Sequence, residues 1–176
     1  KVAAEYIAKS FMELGLNIVG LRYFNVYGPR QSMSNVYTQI VPKWIRGIAN
    51  KEVVKIYGDG QQTMDMIYGA DIGAANVAAL DNEECKNIFL NVGTGIQTSV
   101  FKLLQMIKYN MSSLMDTSEF KFLYEKHDPN LVKERCADVT EMHKYLGPHK
   151  VDVAAGIALT CKELHKRATE WESHNG

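Results

Sequence analysis

The chain has no excess of either charge. Twenty Lys and Arg stand against twenty Asp and Glu, and the balance is local, with nine of each sign in residues 1–88 and eleven of each in 89–176. Nucleic acids and anionic membranes select a basic face, so neither is an expected partner. No apolar run approaches the roughly 20 residues of a membrane-spanning helix. Cysteine is sparse: Cys85, Cys136 and Cys161 lie far apart, an odd number without CxxC spacing. That speaks against a disulfide framework and fits a reducing, cytoplasmic setting. The charged, helix-forming opening does not read as a signal peptide, and without an initiator Met Lys1 does not read as a natural start.

Several catalytic signatures are also missing. There is no HExxH, no GxSxG, no GxxGxxG and no phosphate-binding GxxxxGK[ST]. Cys161 and His165 lie four apart on one predicted helix, but two ligands do not make a zinc site, and no metal is expected. Gly58-x-Gly60 and Gly93-x-Gly95 lack a third glycine and read as turns. No tyrosine stands four residues before a lysine.

What is present is an ordinary globular composition. Of 176 residues, 46% are hydrophobic and 23% charged, enough for one core. Apolar residues at helical spacing predict helices over 1–14, 36–50, 71–80, 99–110, 138–146 and 151–171. Asn35 is a candidate cap for the second and Thr98 or Ser99 for the fourth, while Pro42 is a blemish inside the second. NIVGLRY (17–23) and NIFLNV (87–92) read as buried strands. Residues 53–57, 64–68 and 120–125 read as further strands, the last at an edge, and 24–35 as a loop. Two buried strands, each followed by a loop and a helix, predict an α/β chain with a parallel sheet element.

Four ordered blocks then carry a resemblance. RYFNVYGPRQ (22–31) is similar to the hallmark segment of the extended short-chain dehydrogenases/reductases, the NAD-dependent nucleotide-sugar epimerases and dehydratases. KIYGDGQQTMDMIY (55–68) resembles that family's IYGDGxQxRDFIY. NIFLNVGTGIQTS (87–99) resembles its YNVGTGxxTS, and PNLVKERCADVTEMHKYLG (129–147) its PGEVRRSYADISKARRLLG. KVAAE (1–5) resembles the segment that follows the family's catalytic tyrosine.

The resemblance implies a fold: the C-terminal part of a Rossmann-type parallel sheet plus a small substrate-binding lobe, over residues 1–176, with the NAD-binding half upstream. It implies that Lys1 is the catalytic lysine. Its ammonium lowers the pKa of a tyrosine one helical turn earlier, and it also bonds the nicotinamide ribose. It implies that NAD is the cofactor, held mainly by the upstream half, with Tyr23 and Phe24 passing the nicotinamide. Asn25 would bond a nucleoside diphosphate sugar. Ile56 and Tyr57 either bracket the nucleotide base or are strand core, and Asp71 is either a functional acid or a helix cap.

Two departures stand out. The family's diphosphate arginines fall on Met64 and Asp128. Arg30, Lys43, Lys126 or Lys133 could take their place. A UDP-glucose 4-epimerase-like activity is the first expectation. A 4,6-dehydratase, a decarboxylase or a non-catalytic nucleotide-sugar-binding fragment are the alternatives. The family also implies a homodimer through the helix that begins at Lys1.

Overall fold

The computed structural model describes residues 1–32, 39–126 and 132–175, with side chains through Arg167. In chain order its elements are α1 Val2–Glu13, β1 Val19–Tyr23, β2 Asn25–Tyr27, α2 Ile40–Ala49, β3 Val54–Tyr57, β4 Thr63–Tyr68 and α3 Gly69–Asp81. They continue with β5 Ile88–Val92, β6 Gln97–Ser99, α4 Val100–Ser112, β7 Phe122–Glu125, α5 Thr140–Tyr145 and α6 Val153–Asn175.

The two strands expected to be buried lie side by side, but no residue of β1 is buried: Val19, Gly20 and Leu21 are half-buried and Arg22 and Tyr23 exposed. β1 runs parallel to β5, from Val19 opposite Ile88 to Tyr23 opposite Val92. One face of β1 looks at α1, where Arg22 makes a two-pronged bond to Glu5, both N···O distances 2.7 Å. The other face looks at α3, where Tyr23 donates its hydroxyl to Asn76 at 2.9 Å. Helices on both faces of a parallel pair are the doubly wound arrangement.

A second layer system forms the lobe. β4 pairs parallel with β2 and antiparallel with β6, and β3 pairs parallel with β7. Its core joins Trp44, Ile45 and Ile48 of α2 to Ile56 of β3, to Leu103, Leu104 and Ile107 of α4, and to Ile157 and Leu164 of α6. In α4, Val100, Leu103, Leu104, Ile107 and Met111 repeat at 3 and 4 residues and are all buried. Each such side chain contributes about 1.5–3 kcal/mol by leaving water.

The structure differs from the sequence reading at several points. Two three-residue strands, too short to show a period, were not expected: β2 stands in the 24–35 loop, and β6 ends on Ser99, read as the first residue of a helix. Helix α2 begins at Ile40 with Gln39 as its cap, while Asn35 and 36–38 lie outside the described residues. Pro42 is harmless because the third residue of a helix has no intrahelical acceptor for its N–H. Ser99 caps α4, accepting from the Lys102 N–H at 3.1 Å.

Asp71 does not cap α3, whose cap position is Tyr68. It is buried and accepts the N–H groups of Lys150 and Val151, at 2.9 and 3.2 Å, tying the entry of α6 to α3. No helix among the described residues is long and apolar enough to cross a membrane.

Candidate functional site

The parallel pair β1/β5 ends at Tyr23 and Val92, and the carboxyl ends of parallel strands are where α/β sheets place ligands. The Glu5–Arg22 pair sets the start of α1 beside this end. Lys1, one turn before Glu5 and exposed, is therefore placed at the same end of β1 as Tyr23 and Phe24, though on the α1 face, whereas the Tyr23 ring turns to the α3 face. Phe24 is half-buried and donates its N–H to Val92 at 3.0 Å. Asn25 donates its side-chain amide to the main-chain oxygen of Asp65 at 2.9 Å. Its Oδ1 takes no bond from the described residues and remains free to accept one.

A groove of about 290 Å³ opens in the lobe between α2, β3 and β4. Tyr57 lines it, half-exposed, and so does Lys55. Ile56 does not: it is fully buried in the core. Side chains alternate along a strand, so neighbours 56 and 57 cannot both face the groove, whereas 55 and 57 do. Trp44 backs this wall and donates its indole N–H to the Lys55 carbonyl at 3.2 Å.

Gln62 donates its amide to the Tyr57 carbonyl, which fixes the end of β3. The Gly58-Asp59-Gly60 turn between them has φ of +79° and +76° at its glycines, a region L side chains avoid. The side-chain oxygens of Gln62 and Thr63, both on the groove wall, are buried and have no partner among the described residues.

Three cations line the groove: Lys43, Lys55 and Arg135. Lys55 is occupied by Glu125 at 2.9 Å, a bond that raises its pKa. Met64 lies on the same wall.

Other expected residues are elsewhere. Arg30 lines a separate cavity of about 230 Å³ with Tyr27 and Tyr68. Lys133 lines one of about 410 Å³ beside the Gly58–Gly60 turn. Asp128 lies outside the described residues. Sequence reasoning passed over Lys55, which strand alternation from Tyr57 would have found. It also passed over Arg135, which no local pattern marks. Among the described residues no group of three or more His, Cys, Asp or Glu is placed to hold a metal ion.

Residues 1–93 match the sequence model of the NAD dependent epimerase/dehydratase family. The chain belongs to that family. Among its curated relatives is a putative UDP-glucose 4-epimerase of Methanocaldococcus jannaschii, 28% identical over 98% of this chain and 52% of that protein. Another is a UDP-N-acetyl-alpha-D-glucosaminuronate decarboxylase of Bacillus cytotoxicus, 30% identical over 81% of this chain and 44% of that protein.

Among solved structures of this epimerase/dehydratase family, the UDP-N-acetylglucosamine 4-epimerase of Methanobrevibacter ruminantium superposes with a TM-score of 0.84 at 32% identity. The match covers 94% of this chain and 52% of that one. The UDP-glucose 4-epimerase of Thermotoga maritima, solved with UDP-glucose, gives 0.80 at 28% identity over 93% and 52%. The chain thus spans about half the length of the relatives it matches.

Proposed function

We propose that the chain is the substrate-binding half of an NAD-dependent nucleotide-sugar epimerase of the UDP-glucose 4-epimerase type. The observation that carries this is the lobe groove, where the half-exposed ring of Tyr57 offers a stacking face beside cations. Aromatic face and positive charge are what a base and a diphosphate require. The match to 4-epimerases across nearly the whole chain supports the same reading.

In this reading Tyr57 stacks on the nucleotide base and Lys55, held by Glu125, flanks it. Asn25 offers its free Oδ1 to a sugar hydroxyl. Lys1 places an ammonium at the carboxyl end of β1, where it lowers the pKa of a phenol and stabilises the phenolate that takes a proton from the sugar. NAD, when bound, supplies the hydride acceptor and donor. The residues present fit its nicotinamide end only: an exposed Lys1 with Tyr23 and Phe24 at the end of a parallel pair. No glycine-rich turn opening a helix is present among the described residues to take the pyrophosphate of NAD.

The similarity to the Bacillus cytotoxicus decarboxylase favours a second reading, in which the keto sugar loses carbon dioxide. One experiment separates the two. The protein as its gene encodes it is incubated with NAD and a panel of UDP, dTDP, GDP and CDP sugars, and products are read by chromatography and mass. A product of unchanged mass and altered retention supports the epimerase, loss of carbon dioxide the decarboxylase. Turnover of none of the panel would overturn both.

A homodimer through α1 belongs to the same proposal. Val2, Tyr6, Ile7 and Phe11 of α1, with Leu14 at its C-cap, form an apolar stripe, each at least 46% exposed. Burying that stripe between subunits is favourable. Light scattering on the encoded protein is expected to show a dimer that Phe11→Glu splits; a monomer would overturn the dimer alone.

A further inference from the structure

The groove holds two cations that no acid among the described residues occupies. Lys43 and Arg135 line it, and neither makes an ion pair with the described residues, in contrast to Lys55. Beside them the Gln62 and Thr63 side-chain oxygens are buried without partners among the described residues. The Thr63 hydroxyl can donate, and with two cations that make no ion pair among the described residues it gives one concave wall the groups that suit an anion with several oxygens, while the Gln62 oxygen can only accept.

Arg135 reaches this wall by a defined route. Thr63 and Glu134 form a parallel bridge. Thr63 donates its N–H to Lys133 at 2.8 Å, and Arg135 donates its N–H to Thr63 at 3.2 Å. Two residues on, Ala137 donates its N–H to the Asp65 carboxylate at 3.1 Å. The segment is thus tied to β4 on both sides of Arg135. Met64 and Arg135 each directly follow a residue of this isolated parallel bridge. Both residues line the groove.

We propose that Arg135, assisted by Lys43, holds the diphosphate of the nucleotide sugar, its guanidinium replacing from the neighbouring segment the one that Met64 lacks. A guanidinium offers two parallel N–H donors to phosphoryl oxygens, which an ammonium does not, so Arg135 is the principal contact and Lys43 a point charge. The Thr63 hydroxyl is free to donate to the same group. This inference rests on the nucleotide-sugar reading above.

The test is calorimetry on the encoded protein with UDP, dTDP, GDP and CDP, each paired with its monophosphate. Arg135→Gln is expected to weaken the diphosphate that binds best by roughly ten- to hundredfold. The monophosphate should change much less. Lys43→Gln is expected to have a smaller effect, and Met64→Arg added to Arg135→Gln to restore most of the loss. Unchanged diphosphate affinity in Arg135→Gln would overturn the clamp and leave the nucleotide-sugar reading standing. So would equal loss of mono- and diphosphate, which marks a merely structural role. If the unsubstituted protein binds none of the four diphosphates, the underlying reading fails and the clamp with it.

Discussion

Asp65 accepts the Ala137 N–H at 3.1 Å, joining β4 to a segment 72 residues further on. The same carboxylate takes the Thr94 N–H and hydroxyl, at 2.8 and 2.7 Å, and the Gly95 N–H at 2.8 Å. Fully buried, it is the knot between β4, the turn after β5 and the segment that carries Arg135. Asp65→Ala would leave three main-chain donors unsatisfied and is expected to cost about 3 kcal/mol or more. Asp65→Asn keeps one acceptor oxygen and should fall between. Urea unfolding measures both, and an unmoved midpoint in the alanine variant would remove Asp65 from the framework.

Helix α6 carries a glycine whose replacement by alanine has the opposite sign to the usual one. Gly→Ala inside a helix ordinarily stabilises by roughly 0.5–1 kcal/mol. At Gly156 an added Cβ would meet the Tyr27 hydroxyl and two carbons of its ring within 3.1 Å. Tyr27 is buried, and its hydroxyl donates to Val153 at 3.3 Å, so it has nowhere to move. Gly156→Ala is expected to destabilise by about 1–3 kcal/mol. Adding Tyr27→Leu should recover part of that in thermal unfolding. A stabilised Gly156→Ala would show that α6 shifts to make room.

Long apolar periods made most of this fold legible: α1, α4 and the β1/β5 pair follow from the sequence within about two residues. What escaped was set by partners far along the chain. Strand β6 exists because residues 97–99 pair with 63–65, and a three-residue strand shows no period of its own. Asp71 read as a functional acid or a helix cap, but its acceptors serve N–H groups 79 and 80 residues away. Met64 as a missing arginine was readable from its motif. That Arg135 lines the same groove was not, because the bridge between Thr63 and Glu134 leaves no trace in either local sequence.

The three thiols divide by burial. Cys161 is enclosed in the lobe core, and burial pushes its pKa up to about 12. Cys85 is buried and raised for the same reason. Cys136 is exposed, and slight burial and then the Asp65 charge raise it. The thiolate is the reacting form, so a raised pKa slows alkylation and makes it climb with pH. With iodoacetamide at pH 8, Cys136 is expected to react first and faster as pH rises. Cys161 should react only in denaturant. Peptide mass analysis over time checks the order, and early labelling of Cys161 would mean that α6 opens readily.

Strand β3 separates stability from binding within two adjacent residues. Ile56 is fully buried in the lobe core, and Tyr57 is half-exposed on the groove wall. Ile56→Ala removes core volume and is expected to cost about 2–5 kcal/mol. If the variant folds, its nucleotide affinity should change little, because no atom of residue 56 reaches the groove. Tyr57→Ala removes an exposed ring and should leave the unfolding midpoint within about 0.5 kcal/mol. It should weaken nucleotide binding by about 0.5–1.5 kcal/mol, the worth of an aromatic contact, and Tyr57→Phe should bind nearly as the parent does. Denaturation and calorimetry on the three variants give five outcomes to check. Loss of binding in Ile56→Ala at full stability would move the base to the other face of β3.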